Sequence, residues 1–390
     1  MKFNNIPDTD TAINMLKEIA AQSITVGPQK VDKPLALYGA GELGHMAKEY
    51  FDKLGIKIEY VVDIRADYWR KDDNWEGTQI VFPEEISLDQ KKNHLLAVCI
   101  ATIPFTPLSD NLYRQGWNHV VPFYDITEAY RNLHPLSNGW FAKPFDSNDI
   151  DNISKVLEIW GDDISRAHHL QFIAWRLIRE EWVFEKALVN TENRYFIPKI
   201  IDAFSDNDSF ADVGAHYGNV TLRFMDVTKG NFEMNCMIEP DPTNLKMLRS
   251  QLAKFDQDIR RKIQVFPYVV GKKKEKKLFY EGLGYVSQLS DIGNTQMNVT
   301  TIDDMDISPS YIKIHLEGGE LTALQGAKDT ILKHRPIISV TSYHNDEGIY
   351  KLPMWLMMHL NDYQYFMRLH SWCGTGAVVY AIPCRFSTLS

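Results

Sequence analysis

Near the C-terminal third of the chain runs YIKIHLEGGEL, Tyr311 to Leu321. Side chains alternate faces along an extended chain, so Ile312, Ile314 and Leu316 share one side while Lys313, His315 and Glu317 share the other. The first face suits a core. The second offers an ammonium, an imidazole and a carboxylate, a set able to accept a proton and to orient the group that takes it. A further histidine, His344, closes the apolar run PIISVTSYH. These residues predict proton-transfer chemistry, with His315 as general base, Glu317 orienting it or binding a hydroxyl, and His344 as the rival base. Lys313 either lines the same side or snorkels its stem along it. His315, Glu317 and His344 could also converge from adjacent strand ends as an N/O metal site. Nothing in their spacing demands an ion, and the expectation is a site without metal.

Two glycine turns provide places for ligands. Gly39-Ala40-Gly41-Glu42-Leu43-Gly44 has the G-x-G-x-x-G spacing between a strand-like and a helix-like run, and Asp63 ends the next apolar run. Such glycines let a phosphate approach a helix N-terminus while the acid holds ribose hydroxyls, so a nucleotide or nucleotide-sugar is one expectation. A turn kept for packing alone is the other. No catalytic pair follows between Lys33 and Asp125.

The second turn, Asp212-Val213-Gly214-Ala215-His216-Tyr217-Gly218-Asn219, has only two glycines, four apart. A pyrophosphate favours the denser pattern; a ligand with an amino-acid end and a ribose needs close backbone approach and acids. S-adenosylmethionine is such a ligand. Asp212 would place its ammonium, Gly214 and Gly218 would clear room for the methionine chain along Ala215, His216 and Asn219, and Glu239, before Pro240, would accept both ribose hydroxyls.

These residues need a scaffold. From Lys33 to about Asp125 strand and helix patterns alternate, which predicts a small α/β domain with a parallel sheet. From Ser147 to Asn193 no strand-like run appears, and apolar residues at helical spacing through ISKVLEIW and LQFIAWRLIREEWVFEKAL predict a helical bridge broken at Gly161, with Trp160, Trp175 and Trp182 in its core. A second alternation from Ser209 predicts about seven strands, the last two, QYFMRL and AVVYAIP, forming an antiparallel pair. The expected division is a helical segment at 1–32, a Rossmann-like domain at 33–126, a bridge at 127–200 and the second α/β domain at 201–390.

Composition narrows the function. The net charge of −9 over 390 residues argues against a broad grip on nucleic acid or anionic lipid. The basic run Lys272–Lys277 is expected as a solvated connection between strands. Cys99, Cys236, Cys373 and Cys384 form no C-x-x-C pair and no zinc spacing, which fits a reducing, cytoplasmic setting. The apolar stretch from Leu95 to Phe105 is too short for a membrane span.

SFADVGAHYGNVTLRF, MIEPDPTNLKML, TTIDDM, YIKIHLEGGELTALQGA and RPIISVTSYH, in that order, resemble the successive blocks of the FkbM family of S-adenosylmethionine-dependent methyltransferases. The resemblance runs from about Tyr195 to His344. It implies a seven-strand class I fold and O-methylation of a small-molecule or glycan acceptor such as a sugar or natural-product hydroxyl. Three positions depart from the family pattern: His216 stands for the usual Asn, His315 for the Asp of the KIDVEGAE block, and Gly319 for alanine. His315 falls where the fourth strand would meet the methyl group, so the departure bears on acceptor and metal. The N-terminal part resembles, through its YGAG turn, small nucleotide-binding domains of sugar-modifying enzymes. Two other readings stand beside this one: a nicotinamide-dependent oxidoreductase centred on Gly39 to Gly44, and a non-catalytic binding protein in which His216 and His315 mark a disabled site.

Overall fold

The first alternation builds a five-stranded, all-parallel sheet in the order Ile80–Val81, Ile58–Val62, Leu35–Tyr38, Leu95–Val98 and His119–Pro122. The computed structural model describes residues 1–136 and 141–384. Helices on both faces bury the apolar strands, with Phe51 and Phe123 on one side and Leu112 and Trp117 on the other.

Helices Thr9–Ala20, Ser147–Ile159 and Asp163–Ile178 form a layer that shares its core with the C-terminal sheet. Trp160, Trp175 and Trp182 are buried, as their spacing predicted. The break at Gly161 has a steric cause, because a Cβ there would lie 2.9 Å from Phe366 Cε1. Two expectations are corrected. The second bridge helix does not continue through EEWVFEKAL: it stops at Ile178, where Arg179 turns to a φ of +56°. Val183–Phe184 is instead a short strand parallel to Lys2–Phe3, with Phe3 stacked on Phe184.

The second alternation forms a seven-stranded sheet in the order Ile263–Phe266, Met234–Ile238, Ser209–Val213, Tyr311–Ile314, Ile337–Thr341, Ala377–Pro383 and Tyr363–Leu369. Ala377–Pro383 runs antiparallel to both neighbours, as the closing pair predicted. The sequence reading missed a separate four-stranded sheet of Val269–Val270, Thr295–Thr300, Glu275–Tyr280 and Gln288–Leu289. IQVFPYVVG is therefore two strands in two sheets, parted at Pro267, which has no N–H to donate. The lysine run is corrected in its second half: Lys272–Lys274 are an exposed connection, as expected, but Glu275–Tyr280 is a paired strand whose exposed lysines had read as a loop. The stretch ELTALQGAKDTILKHR forms two helices, Glu320–Gln325 and Lys328–His334, parted at Gly326, where a Cβ would meet the Gly271 carbonyl at 2.0 Å.

Among the described residues no helix is long and apolar enough to cross a membrane. Cys99, Cys236 and Cys373 are buried and unbridged, and Cys384 is exposed.

Candidate active site

A cleft opens at the C-terminal ends of the large sheet's strands, lined among others by Gly214, His216, Glu239, Pro240, His315 and Glu317. Ligands bind at this edge of doubly wound sheets.

At one end the glycine turn is set by its own chain. Gly214 has a φ of +79°, and a Cβ there would lie 2.0 Å from the His315 carbonyl oxygen, so only glycine lets the turn cross the neighbouring strand end. Gly218, with a φ of +89°, makes room for Leu248 rather than for a ligand. Ala215 is buried, donating its N–H to Ile238 O at 3.0 Å, and Asn219 is exposed at the start of a helix; neither lines the cleft.

Two expected contacts change. Asp212 is fully buried, its carboxylate accepting from Lys313 Nζ at 2.9 Å and from Thr221 Oγ1 at 3.0 Å, so it is not offered to a ligand's ammonium. Lys313, paired in register with Asp212 on the adjacent strand, also donates to Gly214 O at 2.7 Å. It is a buried strut under the turn, not a lining of the acceptor side. An ion pair so deep holds its place only because each charge finds the other.

Glu239 stands at the rim. Oε2 accepts from the His216 N–H at 2.8 Å, and Oε1 accepts from Asp241 N–H at 2.9 Å and Asn244 Nδ2 at 3.2 Å. Of about four lone-pair sites on a carboxylate, three are engaged. One remains for a ligand, where the sequence suggested two hydroxyls. Burial raises the pKa of Glu239 against these donors. His216, at a φ of +50°, is sandwiched 3.5 Å from the rings of both Tyr217 and Tyr285. Burial holds its pKa down at about 3, so the ring is neutral.

The small sheet supplies the facing wall through Tyr268, Phe279 and Leu289. Asp241 ties this wall to the glycine turn: Oδ2 accepts from the Gly282 N–H and Ser287 hydroxyl, each at 2.7 Å, while Oδ1 caps the Pro242–Leu252 helix. Leu283 and Val286 of the same segment are part of the N-terminal domain's core, and Lys53 Nζ donates to Gly282 O at 2.9 Å. The N-terminal domain thus holds one wall of the cleft.

At the other end the Tyr311–Ile314 strand has already stopped, and Glu317 sits in the turn at a φ of +49°. His315 Nε2 lies 2.9 Å from Glu317 Oε1, and its Nδ1 lies 2.8 Å from the Tyr195 hydroxyl. A quarter of the His315 side chain is exposed. Burial keeps this imidazole neutral, with a pKa of about 3, despite the adjacent carboxylate. His344 is buried with Nδ1 2.6 Å from Glu320 Oε1 and Nε2 3.2 Å from Glu317 Oε1. Burial alone would favour its neutral form, yet the Glu317 and Glu320 carboxylates outweigh it and raise its pKa well above the usual histidine range. His344 on its own is thus a cation rather than a rival base. Burial works against ionised Glu317, but His344 and His315 together hold its pKa low.

The sequence reading missed Glu320, Tyr195, Tyr343 and Arg194. Glu320 gathers the N–H groups of Leu316 and Gly318, the Thr341 hydroxyl and His344. Its signal was there, an acid three residues after Glu317 at a helix start. Arg194 donates to the Tyr343 hydroxyl at 2.7 Å, which lies 3.4 Å from His315 Nε2; no local pattern marks these partners.

The first glycine turn is built differently. Asp63 accepts from the Ala40 N–H at 2.8 Å and the Arg65 N–H at 2.7 Å, two of its about four lone-pair sites. A Cβ on Gly39 would lie 2.8 Å from Ile100 Cγ1, one on Gly44 would lie 2.3 Å from Gly39 O, and one on Gly41 would meet only Trp69 Cζ2 at 3.9 Å. Trp75 Nε1 donates to Ala40 O at 3.0 Å.

Numbered along the C-terminal domain, the large sheet has the order 3-2-1-4-5-7-6 with its seventh strand antiparallel. That sheet, with a cleft above its first and fourth strands, is the class I methyltransferase fold. Residues 212–367 match the family model described as the methyltransferase FkbM domain. The crystal structure of methyltransferase FkbM from Methylobacillus flagellatus KT is similar in fold, with a TM-score of 0.63 and 20% identity, covering 95% of this chain and 98% of that one. Precorrin-6y C5,15-methyltransferase from Geobacter metallireducens GS-15 aligns with a TM-score of 0.31 and 14% identity over 51% of this chain and 95% of that one. Comparison with curated protein sequences gives no match.

Proposed function

We propose that this protein transfers the methyl group of S-adenosylmethionine to a hydroxyl of a sugar, glycan or related small molecule. The observation that carries the reading is one cleft with a glycine cradle and a carboxylate with one free acceptor position at one end, and a neutral imidazole beside a carboxylate at the other.

The residues fit the cosubstrate. Gly214 gives close backbone approach, Glu239 accepts one ribose hydroxyl, and Tyr268, Val269 and Leu289 offer an apolar wall for the base. When bound, the sulfonium supplies an activated methyl group. The acceptor oxygen must then be held in line, and its proton must leave as the O–C bond forms and the C–S bond breaks. His315 and Glu317 line the cleft, whereas Lys313 and His344 do not, so the proton goes to the His315–Glu317 pair. The carboxylate steadies the imidazolium that forms, with Tyr195 holding the ring from behind.

No nucleotide is assigned to the turn at Gly39–Gly44, because its glycines are accounted for by packing and, unlike Gly214 and Glu239, neither they nor Asp63 line the cleft. A nicotinamide-dependent reaction there has no supporting geometry.

The test is transfer of an isotope-labelled methyl group to a panel of sugars, glycans and small alcohols. The wild type should label a hydroxyl, and His315→Ala should lower turnover by about 10²- to 10⁴-fold, the usual worth of a positioned base. Saturating cofactor binding without transfer to any hydroxyl would overturn the reading.

A further inference from the structure

We propose that His315, Glu317 and His344 form a binding site for a divalent first-row transition-metal ion of the zinc class at the methyl end of the cleft. The inference rests on the reading above and deepens it, because it names what activates the acceptor there.

The three residues come from the ends of two adjacent strands, and their donor atoms all lie within 4.8 Å of one another. His315 Nε2 and His344 Nε2 are 2.9 Å and 3.2 Å from Glu317 Oε1. Donors around a tetrahedral zinc at 2.0–2.1 Å are separated by about 3.3 Å, so only small shifts are needed to admit an ion. Glu317 Oε2 is buried and makes no hydrogen bond, and the buried His344 Nε2 faces only Glu317 Oε1 at 3.2 Å, so an ion binds there in exchange for the imidazolium's proton. The side chains of Glu317 and His344 are 5% and 0% exposed.

The outer partners match a ligand role. Each imidazole has its other nitrogen fixed, His344 Nδ1 by Glu320 and His315 Nδ1 by the Tyr195 hydroxyl, which accepts as readily as it donates. Ligating histidines are held in this way, through a carboxylate or similar group on the far nitrogen. Glu320 is itself anchored by Leu316, Gly318 and Thr341. The part-exposed face of His315 leaves a coordination position toward the cleft, where an acceptor hydroxyl can enter as a further ligand. Two imidazoles and one carboxylate suit zinc, iron(II), cobalt or nickel rather than magnesium or calcium.

The ion takes the Nε2 lone pair of His315 that would otherwise receive a proton. In the loaded enzyme the imidazole would be a ligand, the ion would lower the pKa of the acceptor hydroxyl, and the proton would leave to water at the open side of the cleft as the O–C bond forms and the C–S bond breaks.

The experiment titrates the full chain with Co²⁺ followed by visible absorption, with Zn²⁺ and Mg²⁺ as competitors, and measures S-adenosylmethionine binding by calorimetry in the same samples. Expected are absorption bands of a low-coordinate N/O site at an ion-to-chain ratio near unity, displaced by Zn²⁺ and not by Mg²⁺. Glu317→Gln and His344→Gln should lose the bands while keeping the cofactor heat. Glu320→Gln should weaken Co²⁺ by about 10- to 100-fold through the loss of an outer partner. A wild type that binds S-adenosylmethionine but gives no Co²⁺ bands, or bands untouched in both ligand variants, overturns the metal site alone. A wild type that binds neither overturns the reading beneath it as well.

Discussion

The chain makes the same strand–turn–helix passage twice, at Gly39–Gly44 and at Gly214–Gly218, with opposite results. In both, an acid ends the following strand and accepts a backbone N–H of the turn, Asp63 from Ala40 and Glu239 from His216. The first turn then closes on itself: Ile100 occupies the space beside Gly39 and a tryptophan ties down the Ala40 carbonyl. The second stands on a buried Lys313–Asp212 pair, its first glycine and its acid line the cleft, and the wall opposite belongs to another sheet. A glycine pattern therefore reports that backbone passes close to something. Whether that something is a ligand or more protein depends on what the neighbouring strands bring.

Matched substitutions in the two turns should break this comparison most sharply. Gly214→Val places side-chain atoms on the His315 carbonyl and should abolish S-adenosylmethionine binding in a calorimetric titration. Gly39→Ala, with Ile100 Cγ1 2.8 Å from its Cβ, should lower stability by about 1–3 kcal/mol through strain, with cofactor affinity unchanged.

The strut comes next. Lys313→Met strands Asp212 in the core and should cost about 3–5 kcal/mol in urea unfolding. Asp63→Asn, in a more exposed setting, should cost well under half of that.

Leu283 sharpens the comparison by joining the two regions. It is buried in the N-terminal domain while neighbouring Gly284, Tyr285 and Ser287 line the cleft. Leu283→Ala should destabilise by about 2–5 kcal/mol and also weaken the cofactor several-fold, which no purely local core residue would do.

The helical layer and the strand end packed on it should answer to pH rather than to cofactor. Burial lowers the pKa of His168 and His169 to about 4 and of His370 to about 3. In each ring one nitrogen accepts, from Leu369 N, Trp160 Nε1 and the Tyr380 hydroxyl, so protonation removes a bond. The unfolded chain takes up protons near pH 6.5 and the folded chain does not. Stability should fall as pH drops from about 6.5 toward 4 and be indifferent to these groups above that window, as urea midpoints across pH would show.

Much of the large sheet was legible because SFADV, MNCMI, YIKI and IISVT are short apolar runs between amphipathic helices, and strand succession alone places them. The four-stranded sheet was not, because Lys276 and Lys277 face solvent and charge there reads as a loop. His315 and Glu317 were legible as residue types at a strand end, although the strand stops at Ile314 and alternation does not reach them, and what they do depends on Tyr195, 120 residues away, and on Tyr343. Lys313 and Asp212, 101 residues apart, show the same limit: only strand register reveals that two candidate site residues spend their charges on each other.

The central claim is that the Gly214 turn and Glu239 together hold the methyl donor, and calorimetric titration of the full chain with S-adenosylmethionine addresses it most directly. Wild type and Asp63→Asn should bind alike, while Glu239→Ala should bind at least about tenfold more weakly, the loss of one charged hydrogen bond. No heat from the wild type, or an affinity lost in Asp63→Asn and kept in Glu239→Ala, would contradict it.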